Sequence, residues 1–111
     1  MANTFGADIL IQANDPLAVA AFYVEALGFT ITATTPAMVS LHGPHINLFI
    51  ERGPELGPVL EVTVADIDET TRRLVAAGSA VVKDEPAVPR RYVMDPYGLL
   101  YNLRPKAPAA G

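Results

Sequence analysis

The residues able to carry chemistry are few. Cysteine is absent, which removes disulfides, zinc–thiolate sites and thiol nucleophiles. No Gly-x-Ser-x-Gly elbow and no glycine-rich phosphate loop occurs, and neither histidine is spaced to activate a serine, so hydrolase and NTPase chemistry lack support. The two histidines, His42 and His45, flank Gly43-Pro44 in a predicted hairpin turn. As a metal pair they need carboxylates converging from other strands; the plainer reading is solvated turn residues. Glu61 is of more interest, because alternation along Leu60 to Val64 sets it on one face with Val59 and Thr63, opposite Leu60, Val62 and Val64. There it can hold a cationic group or act as a general base, the alternative being a partly exposed, solvated glutamate. Arg90-Arg91-Tyr92 offers charge and stacking to an anionic or aromatic ligand, or simply a charged strand edge that discourages aggregation.

Composition bounds the remaining options. A chain of 111 residues that is 50% apolar has material for one compact domain and can build a core without covalent staples. The formal charge of −4, with eight Lys and Arg spread thinly, argues against nucleic acid. No window approaches the roughly 20 apolar residues of a membrane span, and Met1 to Gly6 lacks the basic and apolar regions of a signal peptide. A cytoplasmic protein is expected, with residues 1–104 as the domain and 105–111, rich in Pro and Ala, as a flexible tail.

The elements that must position these residues are written twice. Ile9 to Ala13 alternates as a half-buried strand; Asn14-Asp15-Pro16 then supplies an N-cap and a proline at the first helical position. The helix from Pro16 carries Leu17, Ala20, Ala21, Val24 and Leu27 at helical spacing and ends at Gly28, a left-handed C-cap. About fifty residues later the order recurs: a strand from Leu60 to Val64, a helix capped by Asp66 with Glu69 three residues on, an apolar face of Ile67, Leu74 and Val75, and Gly78 closing it. Three strands follow each helix: Phe29 to Ala33, Ala37 to Leu41 and Ile46 to Ile50 in the first copy; Ala80 to Val82, Arg91 to Met94 and Leu99 to Leu103 in the second. Arg52 to Pro58 reads as the link. The predicted fold is α+β: two βαβββ modules, about 7–53 and 58–104, forming a curved mixed sheet around a cup with helices outside.

Two such halves, the aromatic pair Phe22-Tyr23 followed by Leu27-Gly28-Phe29, and the late Asp95-Pro96-Tyr97-Gly98 turn resemble the vicinal oxygen chelate superfamily, the glyoxalase/bleomycin-resistance/dioxygenase group, from about Asp8 to Arg104. Phe22 and Tyr23 would anchor the first helix, and Gly98 would permit a tight turn. The superfamily spans lyases, isomerases, ring-cleaving dioxygenases, thiol transferases and drug-binding proteins, so the fold leaves the function open. Metal-using members typically take ligands from the first and last strands of each half. The resemblance carries these positions onto Asp8, Asn47, Val59 and Asn102, a set with one carboxylate and no imidazole, which is poor for Zn, Ni, Fe or Mn. No metal and no other cofactor is therefore expected.

The expected cup wall is Asp8, Leu10 and Gln12 from the first strand, Asn47, Phe49 and Glu51 from the fourth, and Leu100, Asn102 and Arg104 from the last. Asn47 and Asn102, taken as related by the repeat, would face each other and bind a neutral polar group, or else each would satisfy a neighbouring strand end. The leading expectation is a homodimeric small-molecule-binding protein that sequesters an aromatic or peptide-like compound, as in bleomycin and other antibiotic resistance, with Asp8, Gln12, Asn47, Phe49, Glu61, Asn102 and Arg104 as ligand-binding residues. The alternatives are a lyase, isomerase or dioxygenase, using either non-standard ligands such as Asp8, His42, His45 and Glu61 or acid–base chemistry at Glu61, and a degenerate domain that only engages partners.

Overall fold

A computed structural model describes residues 4–87 and 90–106; the expected tail from 107 onward lies outside them. The elements run β1 (Thr4–Ala13), α1 (Pro16–Leu27), β2 (Thr30–Thr34), β3 (Met38–His42), β4 (Asn47–Arg52), β5 (Leu56–Val64), α2 (Ile67–Ala76), β6 (Ala80–Glu85), β7 (Arg90–Met94) and β8 (Leu100–Pro105). Strand, helix and three strands therefore occur twice in an α+β chain.

Local chemistry sets the helix limits. Asp15 Oδ1 accepts the Ala18 N–H at 3.2 Å, Pro16 fills the first helical position, and Gly28 at φ 82° donates its N–H back to the Tyr23 and Val24 carbonyls. That positive φ is the conformation glycine adopts without strain. Asp66 likewise accepts the Glu69 N–H at 3.0 Å. The Glu69 side chain turns to Arg72 at 3.0 Å and Arg73 at 3.2 Å, a pair of exposed contacts one helical turn away.

The described residues form two compact units: Ala7–Val59, and those from Leu60 to Lys106 together with Thr4–Gly6. In the first the strands lie in the order β2-β3-β4-β1, with β1 and β4 parallel and the other pairs antiparallel. Its core is Ala13, Ala20, Val39, Leu41, Leu48 and Ile50, on which Ile9, Val19, Tyr23, Val24 and Phe29 pack. In the second the order is β5-β8-β7-β6, and Val62, Val64, Val93, Tyr101 and Leu103 form the core beneath Leu60, Ile67 and Leu74. Each apolar set is one face of its strands, as period-two alternation requires.

Several expectations change. Leu17 and Phe22 of α1 are 55% and 61% exposed, and Leu27 and Ala21 also face outward; the buried side is Pro16, Val19, Ala20, Tyr23 and Val24. Because α1 is apolar nearly all round, two stripes satisfy helical spacing, and packing chooses between them. Tyr23 therefore anchors the helix, and exposed Phe22 meets Tyr23 edge-on. In α2, Val75 is 49% exposed. The predicted link Arg52 to Pro58 shrinks to Gly53-Pro54-Glu55, because the Arg52 and Gly53 N–H groups donate to Ala37 and Ala13 carbonyls at 2.8 and 3.0 Å. At the other end Pro105 belongs to β8, and Lys106 N–H donates to the Val64 carbonyl at 3.0 Å.

Candidate functional site

Strand register brings the first unit's candidates together. Asp8 pairs with Asn47, Leu10 with Phe49 and Gln12 with Glu51 across β1 and β4, while His42, Ser40 and Met38 of β3 stand opposite Asn47, Phe49 and Glu51. These side chains share the face opposite α1, in three rungs spaced two residues, about 7 Å, apart. The outer rungs are polar. Asn47 Nδ2 donates to Asp8 Oδ1 at 3.0 Å, and Asn47 Oδ1 meets His42 Nδ1 at 2.9 Å. At the far end the buried Gln12 amide donates to Glu51 Oε1 at 2.8 Å. Half-buried Leu10 and Phe49 lie between them.

The sequence groups His42 with Asp8 only as a non-standard metal ligand, not as a hydrogen-bonding partner of Asn47. His42 is the last residue of β3 rather than a turn residue, and the usable signal was alternation from Met38 through Ser40, which a strand ended at Leu41 cuts off. His45 remains in the loop between β3 and β4 and is exposed. The hairpin that carries His42 and Asn47 closes on Gly43, where an added Cβ would lie 2.8 Å from the Phe29 ring and 3.0 Å from the Ile46 carbonyl.

The second unit's candidates have different partners. Glu61 accepts a 3.1 Å bond from the Arg104 guanidinium, an ion pair that occupies the carboxylate proposed as a base. Asn102 Oδ1 accepts the Arg91 backbone N–H at 3.0 Å, so this amide satisfies a neighbouring strand. Asn102 pairs with Tyr92 at the middle of β7, as Phe49 pairs with Ser40 at the middle of β3. Register therefore makes Asn102 the counterpart of Phe49, and Leu100 that of Asn47; the two asparagines are not equivalent.

Arg91 is not on a strand edge, since β7 lies between β6 and β8. Its guanidinium reaches Asp68 at 2.8 Å, Thr71 at 3.1 Å and Asp84 at 3.4 Å, and the Asp68 bond leads the causes that hold its pKa above the ordinary arginine value. Lys83 and Arg90 lie 5.7 Å from the ring centroid of buried Tyr92. The cluster Arg90-Arg91-Tyr92 thus ties α2, β6 and β7 together. A separate cavity of about 240 Å³ lies between α2 and its strands, lined by Val62, Val64, Leu74, Leu99 and Tyr101.

The donor set fits a divalent transition ion poorly. Among the described residues no three His, Asp or Glu side chains gather as ligands. At the Asp8–Asn47 rung the amide nitrogen, which has no lone pair to give a metal, points at the carboxylate.

A mixed sheet bearing one helix per βαβββ repeat defines the glyoxalase/bleomycin-resistance type of fold. The chain belongs to the glyoxalase-like domain family, whose sequence profile matches residues 8–104, within the vicinal oxygen chelate superfamily. Among solved structures it is similar to a glyoxalase/bleomycin resistance protein/dioxygenase superfamily member from Vibrio splendidus 12B01, at 19% identity and a TM-score of 0.60 over 93% of this chain and 100% of that one. It is similar to methylmalonyl-CoA epimerase from Mycobacterium tuberculosis at 19% identity and a TM-score of 0.55, over 91% and 87% of the two chains. Homoprotocatechuate 2,3-dioxygenase from B. fuscum, as a variant, matches at 18% identity and a TM-score of 0.59, over 98% of this chain and 34% of that one. No curated protein matches the sequence. At these identities the likeness is one of fold.

Proposed function

We propose that the protein is a small-molecule-binding member of the glyoxalase/bleomycin-resistance group that works without a metal and holds an aromatic or peptide-like compound on the first unit's face opposite α1. The observation that carries this reading is the order of the three rungs. Asp8, Asn47 and His42 form a polar end, Leu10 and Phe49 an apolar middle, and Gln12 and Glu51 a second polar end. A flat apolar body of one ring's width lies over the middle with polar groups at either end, the usual division of labour in a ligand pocket. In this reading Glu61, Arg104 and Asn102 brace their own strands. The working form is taken to be a cytoplasmic homodimer, in keeping with the lack of cysteine and with Leu17 and Phe22 exposed on α1.

The test combines elemental analysis after incubation with Zn²⁺, Ni²⁺, Mn²⁺ and Fe²⁺ with an NMR screen of aromatic compounds and sedimentation equilibrium. No ion is expected at near one equivalent per chain, and binders are expected to shift Leu10, Asn47 and Phe49. Phe49→Ala should weaken them about tenfold, the value of one buried aromatic side chain. A retained equivalent of metal, or binders that shift only residues elsewhere, would overturn the reading; a strict monomer would remove the dimer.

A further inference from the structure

We propose that His42 selects the ligand by presenting Nε2 as a fixed hydrogen-bond acceptor to an N–H or O–H group carried on an aromatic or apolar body. This rests on the binding reading of the same face and specifies what that face prefers.

A carboxylate only accepts, so the Asn47 amide must turn its nitrogen to Asp8, which it does at 3.0 Å. Its oxygen is thereby directed at His42 Nδ1, 2.9 Å away. An amide oxygen also only accepts, so Nδ1 must carry the proton. In the neutral ring the lone pair then belongs to Nε2. Nothing among the described residues meets that nitrogen, although His42 is exposed and its ring is held at Nδ1. A histidine that served only solubility would need no fixed tautomer; this one has two bonds in series that set it.

Position gives the preference a chemical class. Asp8, Asn47 and His42 sit on three adjacent strands, β1, β4 and β3, directly paired through the backbone, so the acceptor is mounted on rigid structure. The Leu10–Phe49 rung lies about 7 Å along the strands, within reach of a ring whose donor meets Nε2. The Asp8 carboxylate behind the relay disfavours anions, and the half-buried apolar Leu10–Phe49 rung favours a donor carried on a neutral ring, such as an indole or phenol.

The experiment uses the intact protein in two steps. Long-range ¹H–¹⁵N correlation of the imidazoles, assigned with His42→Gln, is expected to show His42 protonated at Nδ1. Indole and 1-methylindole, which differ in the N–H donor, are then titrated. Indole should bind at least about fivefold tighter, the value of one net hydrogen bond, and should move the His42 Nε2 resonance. His42→Phe keeps a ring on the surface and should bring the two affinities together. An Nε2–H tautomer, or equal binding of both compounds to the unaltered protein, overturns the proposal. If neither indole binds while other aromatic compounds still shift Leu10 and Phe49, the role of His42 falls and the binding face stands. If no aromatic compound shifts that face, both fall.

Discussion

Tyr101 shows how much a single side chain's role depends on its surroundings. It is 7% exposed, and burial pushes its phenol above the ordinary value; a hydrogen bond with Ser79 pulls it partly back, and Asp95 adds a further upward push. The unfolded chain releases this proton first, near pH 10, so above that pH the folded state holds more protons than the unfolded one. The stability linked to Tyr101 is therefore complete below about pH 10 and lost as pH rises through the higher folded value. Tyr101→Phe should cost about 1 kcal/mol at neutral pH through the Ser79 bond, and the gap to the parent should narrow at alkaline pH. Urea unfolding at both pH values checks this; a constant gap would mean the phenol is not coupled to folding. The other polar candidates teach the same lesson. Glu61 and Asn102 were visible as residue types on the right faces, but Arg104 and the Arg91 backbone, which occupy them, lie 43 and 11 residues away in sequence.

Among the elements, the hairpin of β3 and β4 sets the candidate site, since it carries both His42 and Asn47. Its turn is crowded at Gly43, where a Cβ would meet the Phe29 ring at 2.8 Å and the Ile46 carbonyl at 3.0 Å, so that a neighbour must shift. Gly43→Ala should destabilise the protein by about 1–3 kcal/mol, the usual cost of overpacking. It should also disturb the His42 and Asn47 resonances more than those of β7 and β8. Thermal unfolding with an NMR shift map tests both; an unchanged midpoint would show that Phe29 yields freely. Helix limits were legible because Asp15, Pro16, Gly28 and Asp66 act within one turn of themselves. Strand limits were less so, since a strand continues as long as its neighbour does, which is a property of the pair.

Across the whole molecule, the two helices are anchored unequally. The first unit's α1 buries Pro16 and Ala20, whereas none of the ten residues of α2 is buried and a cavity of about 240 Å³ lies beneath it. Amide hydrogens of α2 should therefore exchange through smaller openings and faster than those of α1. Val62→Ile, which adds one methylene to the cavity wall, should raise α2 protection by about 0.5–1 kcal/mol and leave α1 unchanged. Native-state exchange gives the answer; equal protection of the two helices would contradict the difference in anchoring.

The sequence by itself determined the repeat, the two capped helices, the inward and outward faces of most strands, and the family, because these depend on residues near one another in the chain or on a simple period. Only the tertiary structure decided which stripe of an almost wholly apolar α1 faces its sheet, that Asn102 is matched with Phe49 and not with Asn47, and that His42 joins Asp8 and Asn47. The first depends on how helix and sheet pack, and the other two on the register between paired strands. A two-residue change in that register keeps every side chain on its face but gives each a new partner.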